Sequence, residues 1–188
     1  MDAIELLLTR ASNGKLGEPP PDAATLNMLM RAAARAPDHG TLRPWRIQVV
    51  RGAARERLGL VLRDALLRRK PDAGAEELDK EQKRPLRAPL LLIVSVRIAA
   101  HPKVPEVEQM LSVGAAAQNI LLMLHAQGYA GMWRTGAPAY DPHVKDALGL
   151  APTDAIVGFI YAGTPTTTPP QIPRPAPADF MTEWNGPI

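Results

Sequence analysis

Two hydrophobic periods run through the chain and divide it into elements. From Ile4 to about Leu8 the apolar positions crowd one side of a short helix, with Asp2 placed to cap it. Gly14 follows as a residue able to make the left-handed turn that closes such a helix. The proline-rich GEPPPD linker then stiffens the approach to a second helix, capped by Asp22 and carrying Leu26, Leu29 and Met30 at helical spacing. Pro37 must stop the alanine-rich run RAAARA, because it fixes its own φ and pushes Ala36 out of the helical region. Alternation over Arg46 to Val50 predicts a strand. A helix from about Ala53 to Arg69 presents Leu58, Val61, Leu62, Ala65 and Leu66 on one face and ends at Pro71.

The charged segment Ala75 to Arg84 spaces Glu76 with Lys80 and Asp79 with Lys83 for pairing along a helix, either a solvated element or a flap over a site. PLLLIVSV, from Pro89 to Val96, is a continuous apolar strand of the kind covered on both faces. After the loop His101 to Pro105 comes EVEQMLSVGAAAQNILLMLHAQG, apolar nearly all round, with small residues from Gly114 to Ala117 that admit another backbone. Such a helix belongs at the centre of a small domain or at a subunit interface. A short strand over Tyr129 to Arg134, a short helix over Asp141 to Leu148 and a buried strand from Ala155 to Tyr161, ending at Gly163, complete the regular elements. Seven of the 20 prolines fall from Pro165 onward, so residues 165–188 should run as an extended tail, with Phe180 and Trp184 as anchors.

Composition narrows this picture. The 188 residues, 46% hydrophobic and 22% charged, suit one soluble domain. With no cysteine there is no disulfide, thiolate metal site or cysteine nucleophile. The formal charge of +3 comes from interleaved cations and anions, which speaks for anionic ligands and against nucleic acid. Ser112, Gln118, Asn119 and His125 interrupt the most apolar run, making it a poor membrane span, and Asp2 and Glu5 stand where an export signal needs cations. A cytoplasmic location is expected.

Candidate chemistry gathers at three places. Arg10, Ser12 and Lys15 offer two cations and a hydroxyl, a phosphate clamp by one reading and complements to a helix dipole by another. The loop after the second helix carries Arg35, Asp38, His39, Thr41, Arg43 and Trp45, suited to an anionic, partly aromatic ligand or simply to solvent. Trp133, Arg134 and Thr135 give a flat wall, a guanidinium and, before Gly136, a close backbone approach. No G-x-G, H-E-x-x-H or G-x-S-x-G occurs, and the four histidines lack metal-ligand spacing. An enzyme without evident acid, nucleophile or metal points to a borrowed cofactor.

The order of an initial helix with R-x-S and a further basic residue, then A-P-D-H and P-W before a strand, then a long apolar helix and G-M-W-R-T-G, resembles the nitroreductase-like flavoprotein family. Within it the chain is most similar to the small single-domain branch of YdjA-like NAD(P)H nitroreductases, from Met1 to about Thr164. The resemblance implies an α+β fold, a central, mostly antiparallel sheet flanked by helices, in an intertwined homodimer with FMN at each interface. It places Arg10, Ala11, Ser12, Lys15, Trp133, Arg134 and Thr135 at the FMN, with Arg35 and His39 reaching it from the other subunit. Ala11 stands where many members carry Arg or His, so only its backbone is available.

The stretch Met123, Leu124, His125, Ala126, Gln127 and Gly128 matches one that contacts NADH or NADPH in the similar branch. His125 and its apolar neighbours also suit a buried helix. The implied activity is two-electron reduction of a nitroaromatic, quinone or similar small acceptor, with no catalytic side chain required. A flavin-binding protein that stores or senses the cofactor, and a helical interaction domain without one, are the rival classes.

Overall fold

Burial of both faces of one strand organises the molecule. In the computed structural model, which describes residues 1–169 and 172–187, β3 (Leu90–Val96) is buried along its whole length. Its alternation sends Leu90, Leu92, Val94 and Val96 to one face of the sheet and Leu91 and Ile93 to the other, so β3 belongs to two apolar clusters at once. Antiparallel neighbours flank it, β2 (Trp45–Arg51) on one side and β5 (Ala155–Pro165) on the other. On the far edge of β5 lies β4 (Ala130–Arg134), while the two-residue β1 (Leu16–Gly17) pairs with its end at Thr164 and Pro165. The expected antiparallel sheet is present.

Helices close both faces. α2 (Ala23–Ala33) and α5 (Glu106–Ala126) cover the first, burying Leu29, Ala33, Val113, Ala117, Ile120 and Leu124. α3 (Ala53–Arg69), α6 (Ala137–Tyr140) and α7 (Pro142–Ala147) cover the second through Leu58, Leu62, Ala65, Ala139 and Val144. α1 (Ala3–Thr9) lies against α5, and α4 (Ala75–Gln82) against α3. By length and composition α5 could cross a membrane. The apolarity of its inner face has a core explanation, since Val113, Ala116, Ala117, Ile120 and Leu124 are fully buried within this protomer.

The caps read from sequence form as expected. Asp2 accepts from Glu5 N at 2.9 Å and Asp22 from Thr25 N at 2.7 Å. α3 spans the expected residues. Three local expectations are corrected. Gly14 is not left-handed, and α1 ends on Arg10 in an extended conformation. β5 does not end at Gly163 but continues to Pro165. Glycine is needed there because a Cβ would sit 2.8 Å from both Gly17 O and Pro89 Cδ. On α4, Asp79 pairs with Lys83 at 2.8 Å, but the described ion pairs include none between Glu76 and Lys80. Helix α6, seeded by Pro138 after Gly136, was not anticipated.

The tail is not wholly irregular, since Pro177–Asp179 forms one 3-10 turn. Phe180 and Trp184 stand 72% and 83% exposed in the protomer. Residues 170, 171 and 188 of the tail lie outside the described residues.

Candidate functional site

A buried asparagine builds the first part of the site. After α1 the chain has no ladder partner until β1, so its backbone needs side-chain help. Asn13 supplies it. Its N–H donates to Gly131 O at 3.1 Å, its Nδ2 donates to Thr167 O at 2.7 Å, and its Oδ1 accepts from Lys15 N at 2.9 Å. One residue, 3% exposed, thereby ties segment 12–15 to β4 through its backbone and to the start of the tail through its side chain. Sequence reading passed over Asn13, although Asn-Gly is a recognised turn signal.

Against this clasp opens a cleft of about 700 Å³. Ser12, Lys15 and Arg134, all candidates from sequence, line it together with Asn13, Met132 and Arg87. Gly14 allows the approach, because a Cβ there would meet Arg134 Nη2 at 3.3 Å. Among the described ion pairs none engages Lys15, Arg87 or Arg134. Beneath lies Tyr161, 5% exposed and paired in the ladder with Met132. Burial pushes its phenol above the ordinary value, and the nearby guanidinium groups of Arg84, Arg87 and Arg134 oppose that rise. Lys15, Arg87 and Arg134 are exposed along one cleft and have no counter-ion among the described residues, an arrangement that suits an anion.

Strand alternation separates two residues that the sequence placed together. Arg134 points to the cleft side of the sheet, whereas Trp133 points to the α5 side and packs on the first cluster. The Trp133 indole lies where any side chain at 158 would sit, and its Nε1 donates to Val157 O at 3.2 Å. It therefore offers the cleft no flat wall, and only its backbone can serve a ligand there. Thr135, beyond the strand, is exposed and lies near Tyr161 and Arg84.

Arg10 is half-buried at the end of α1 and does not line this cleft. Burial, and then the charge of Arg174, lower its pKa below the usual guanidinium value. Two guanidinium groups drawn together in this way are relieved by an anion. Ala11 faces elsewhere, into a cleft of about 260 Å³ shared with His125 and Gly128. His125 Nε2 also lies 3.2 Å from Thr9 Oγ1.

The second candidate loop is held from within. Asp38 accepts from Leu42 N at 3.2 Å and Arg43 N at 2.8 Å, which stabilises a turn with Gly40, Thr41 and Arg43 all at positive φ. Asp38 is thus a clamp. Trp45 is half-buried and its Nε1 donates to Ser112 Oγ at 3.0 Å, so it anchors β2 to α5 in place of the ligand face expected of it. Exposed His39 pairs through Nδ1 with Glu108 Oε2 at 2.6 Å. Arg35 lines a third cleft, of about 360 Å³, with Met28, Arg31 and Met123. Among the described residues, Arg35 and Arg134 line different clefts. Between Met123 and His125, Leu124 is fully buried in the core and has no surface to offer a nucleotide, while Ala126, Gln127 and Gly128 are exposed.

Comparison with known proteins gives this geometry a setting. The family model described as "Nitroreductase family" matches residues 7–164. "Putative NAD(P)H nitroreductase YdjA" of Escherichia coli strain K12 is 40% identical over 180 residues, 94% of this chain and 97% of that protein. Among solved structures, a nitroreductase-like family protein from Bacillus cereus superposes with a TM-score of 0.85 at 22% identity, covering 99% of this chain and 97% of its own. The FMN and NADPH-dependent nitroreductase NfnB of a Sphingopyxis strain superposes with a TM-score of 0.78 at 20% identity, covering 99% and 100%. At those identities the structures establish the fold.

Proposed function

The chain belongs to the nitroreductase family, and from that premise we propose that it is an FMN-dependent NAD(P)H oxidoreductase. Its acceptors are nitroaromatics, quinones or similar small molecules, reduced two electrons at a time in a ping-pong cycle. The observation that carries this reading is the cleft between segment 12–15 and β4, where Lys15 and Arg134 face open volume with no carboxylate paired to either among the described residues. That donor set fits a phosphate monoester, which carries about −1.5 to −2 charge at neutral pH. Ser12 adds a hydroxyl donor, and Arg10, off this cleft and beside Arg174, adds a second cationic place for the cofactor's charge.

FMN, when bound, supplies the chemistry of taking a hydride from NADH or NADPH and passing it on. The chain's own residues bind and orient. Asn13 fixes the backbone of Lys15, Gly14 lets Arg134 close on the same segment, and β4 and β5 form the rigid wall behind. No side chain need donate a proton in an open site, because water reaches it. From the stretch 123–128, Met123 lines one cleft and His125 and Gly128 another, which supports a role for these three in meeting the nicotinamide nucleotide.

The active unit is a homodimer. Ile4, Leu7 and Leu8 of α1 and Val107, Met110 and Leu111 of α5 are exposed in the protomer, an apolar face of the kind that marks association. Arg35 and His39 lie off the Arg134 cleft, which accords with their serving the partner's flavin. We place the enzyme in the cytoplasm, where reduced nicotinamide nucleotides are at hand.

The test is the visible absorption spectrum of the purified protein, followed by NADH and NADPH oxidation with a nitroaromatic and a quinone. Stoichiometric FMN and steady turnover are expected, with FMN lost from Arg10→Ala and Arg134→Ala. Bound FMN without turnover on any donor and acceptor would leave a binder, not an enzyme. A protein that takes up no flavin would overturn the proposal.

A further inference from the structure

We propose that Arg87 is a third cation at the phosphate end of this cleft, and that it makes the site select the phosphorylated flavin over riboflavin; this rests on the FMN reading above. Arg87 closes the 3-10 turn Arg84–Arg87 that leads into β3. The turn is pinned from three sides. Pro85 is buried within it, Ala88 after it is 2% exposed, and Arg55 Nη1 donates to Ala88 O at 2.8 Å. The Arg87 Cα is therefore held still beside the sheet, and a fixed stem loses less freedom when its guanidinium is engaged.

The two arginines of the turn have different partners. Arg84 Nη1 meets Glu81 Oε1 at 2.6 Å and is neutralised within its own segment. Arg87 lines the cleft with Lys15 and Arg134, and no described carboxylate pairs with it. Arg87 and Arg134 both also act on the buried Tyr161 phenol, so they converge on one region although their Cα atoms belong to separate segments. Three cations facing a shared volume repel one another until an anion enters. A phosphate monoester, with its three oxygens and nearly two charges, relieves three cations, whereas the terminal alcohol of riboflavin relieves none. The contribution of Arg87 is then specific to the phosphate.

The experiment measures FMN and riboflavin affinities by flavin fluorescence quenching on the full-length wild type, Arg87→Ala and Arg87→Lys. One lost charge-assisted contact should weaken FMN binding by about tenfold or more in Arg87→Ala. Riboflavin binding should change less than about twofold, since it never made that contact. Arg87→Lys should recover part of the FMN affinity, and with it part of the preference. Equal losses for the two flavins would overturn the proposal, as would an unchanged FMN-to-riboflavin ratio, and either would leave the FMN reading intact. A wild type that binds neither flavin would refute the FMN reading and take the role of Arg87 with it.

Discussion

The two long faces of α5 are nearly equally apolar and have opposite fates. Its inner face, through Val113, Ala117, Ile120 and Leu124, is fully buried against the sheet and α2. Its outer face carries Val107, Met110 and Leu111 into solvent, with Leu111 67% exposed, and α1 beside it adds Leu8 at 80%. Water would penalise both alike, so the second face is apolar for something other than the protomer's own core. The contrast teaches that this chain encodes two packing problems in one helix. One is solved within the protomer; the other is left open there, and it is the face on which the proposed homodimer closes.

Substitutions on the two faces should separate these roles. Ile120→Ala removes a fully buried side chain from the inner face and should cost about 2–5 kcal/mol of unfolding free energy, read by urea denaturation with the slope held constant. A change below 0.5 kcal/mol would mean that this face is not the core. Leu111→Glu puts a charge on the outer face, where the protomer has nothing to lose. Sedimentation should show association weakened by at least about 2 kcal/mol, roughly thirtyfold, with native-like circular dichroism retained. A dimer of wild-type affinity would place the interface elsewhere.

Much of this architecture was legible from hydrophobic period alone, and the reason is burial. β3, α3 and α5 read correctly because each must satisfy a face, and the pattern of a face is local in sequence. That Ser12, Lys15 and Arg134 line one cleft could not be read from local pattern, since isolated basic residues have several explanations. Asn13, Arg87 and Tyr161 were not read as residues of the site. Their importance comes from contacts between segments far apart in the chain, such as Asn13 with Thr167, which no local window holds. Trp45 and Trp133 were over-read for a related reason. An aromatic beside a cation looks like a binding wall, but strand alternation turned Trp133 away from Arg134, and a hydroxyl on α5 captured Trp45.

A smaller perturbation sharpens the inner-face side of the contrast. Gly131 in β4 faces α5, and a Cβ there would lie 2.8 Å from Leu121 Cδ2 and 3.1 Å from Leu124 Cδ1. Both contacts are ends of leucine side chains, so the packing can give, though not freely. Gly131→Ala should destabilise the protomer by about 1–3 kcal/mol, the usual range for an overpacked core, and should leave association unchanged. Greater stability in the thermal melt would show that the inner face holds slack.

The smallest effect is a pH dependence seated on α2, which covers the flank of the inner face. Asp22 caps this helix, and the Thr25 backbone N–H it receives holds its carboxyl below the ordinary carboxylate value. A carboxyl whose pKa is lower folded than unfolded stabilises the fold above its unfolded value, near about 3.9, and that contribution fades as pH falls through the folded value. Asp22→Asn keeps a capping oxygen and cannot ionise. Melting temperatures of wild type and variant should therefore run parallel above about pH 5 and converge below about pH 4. Parallel curves down to the acid unfolding limit would show that the cap acts through its shape alone. The outer face carries no part of this titration, so the fraction of dimer measured at pH 5 and pH 7 should be the same for both proteins.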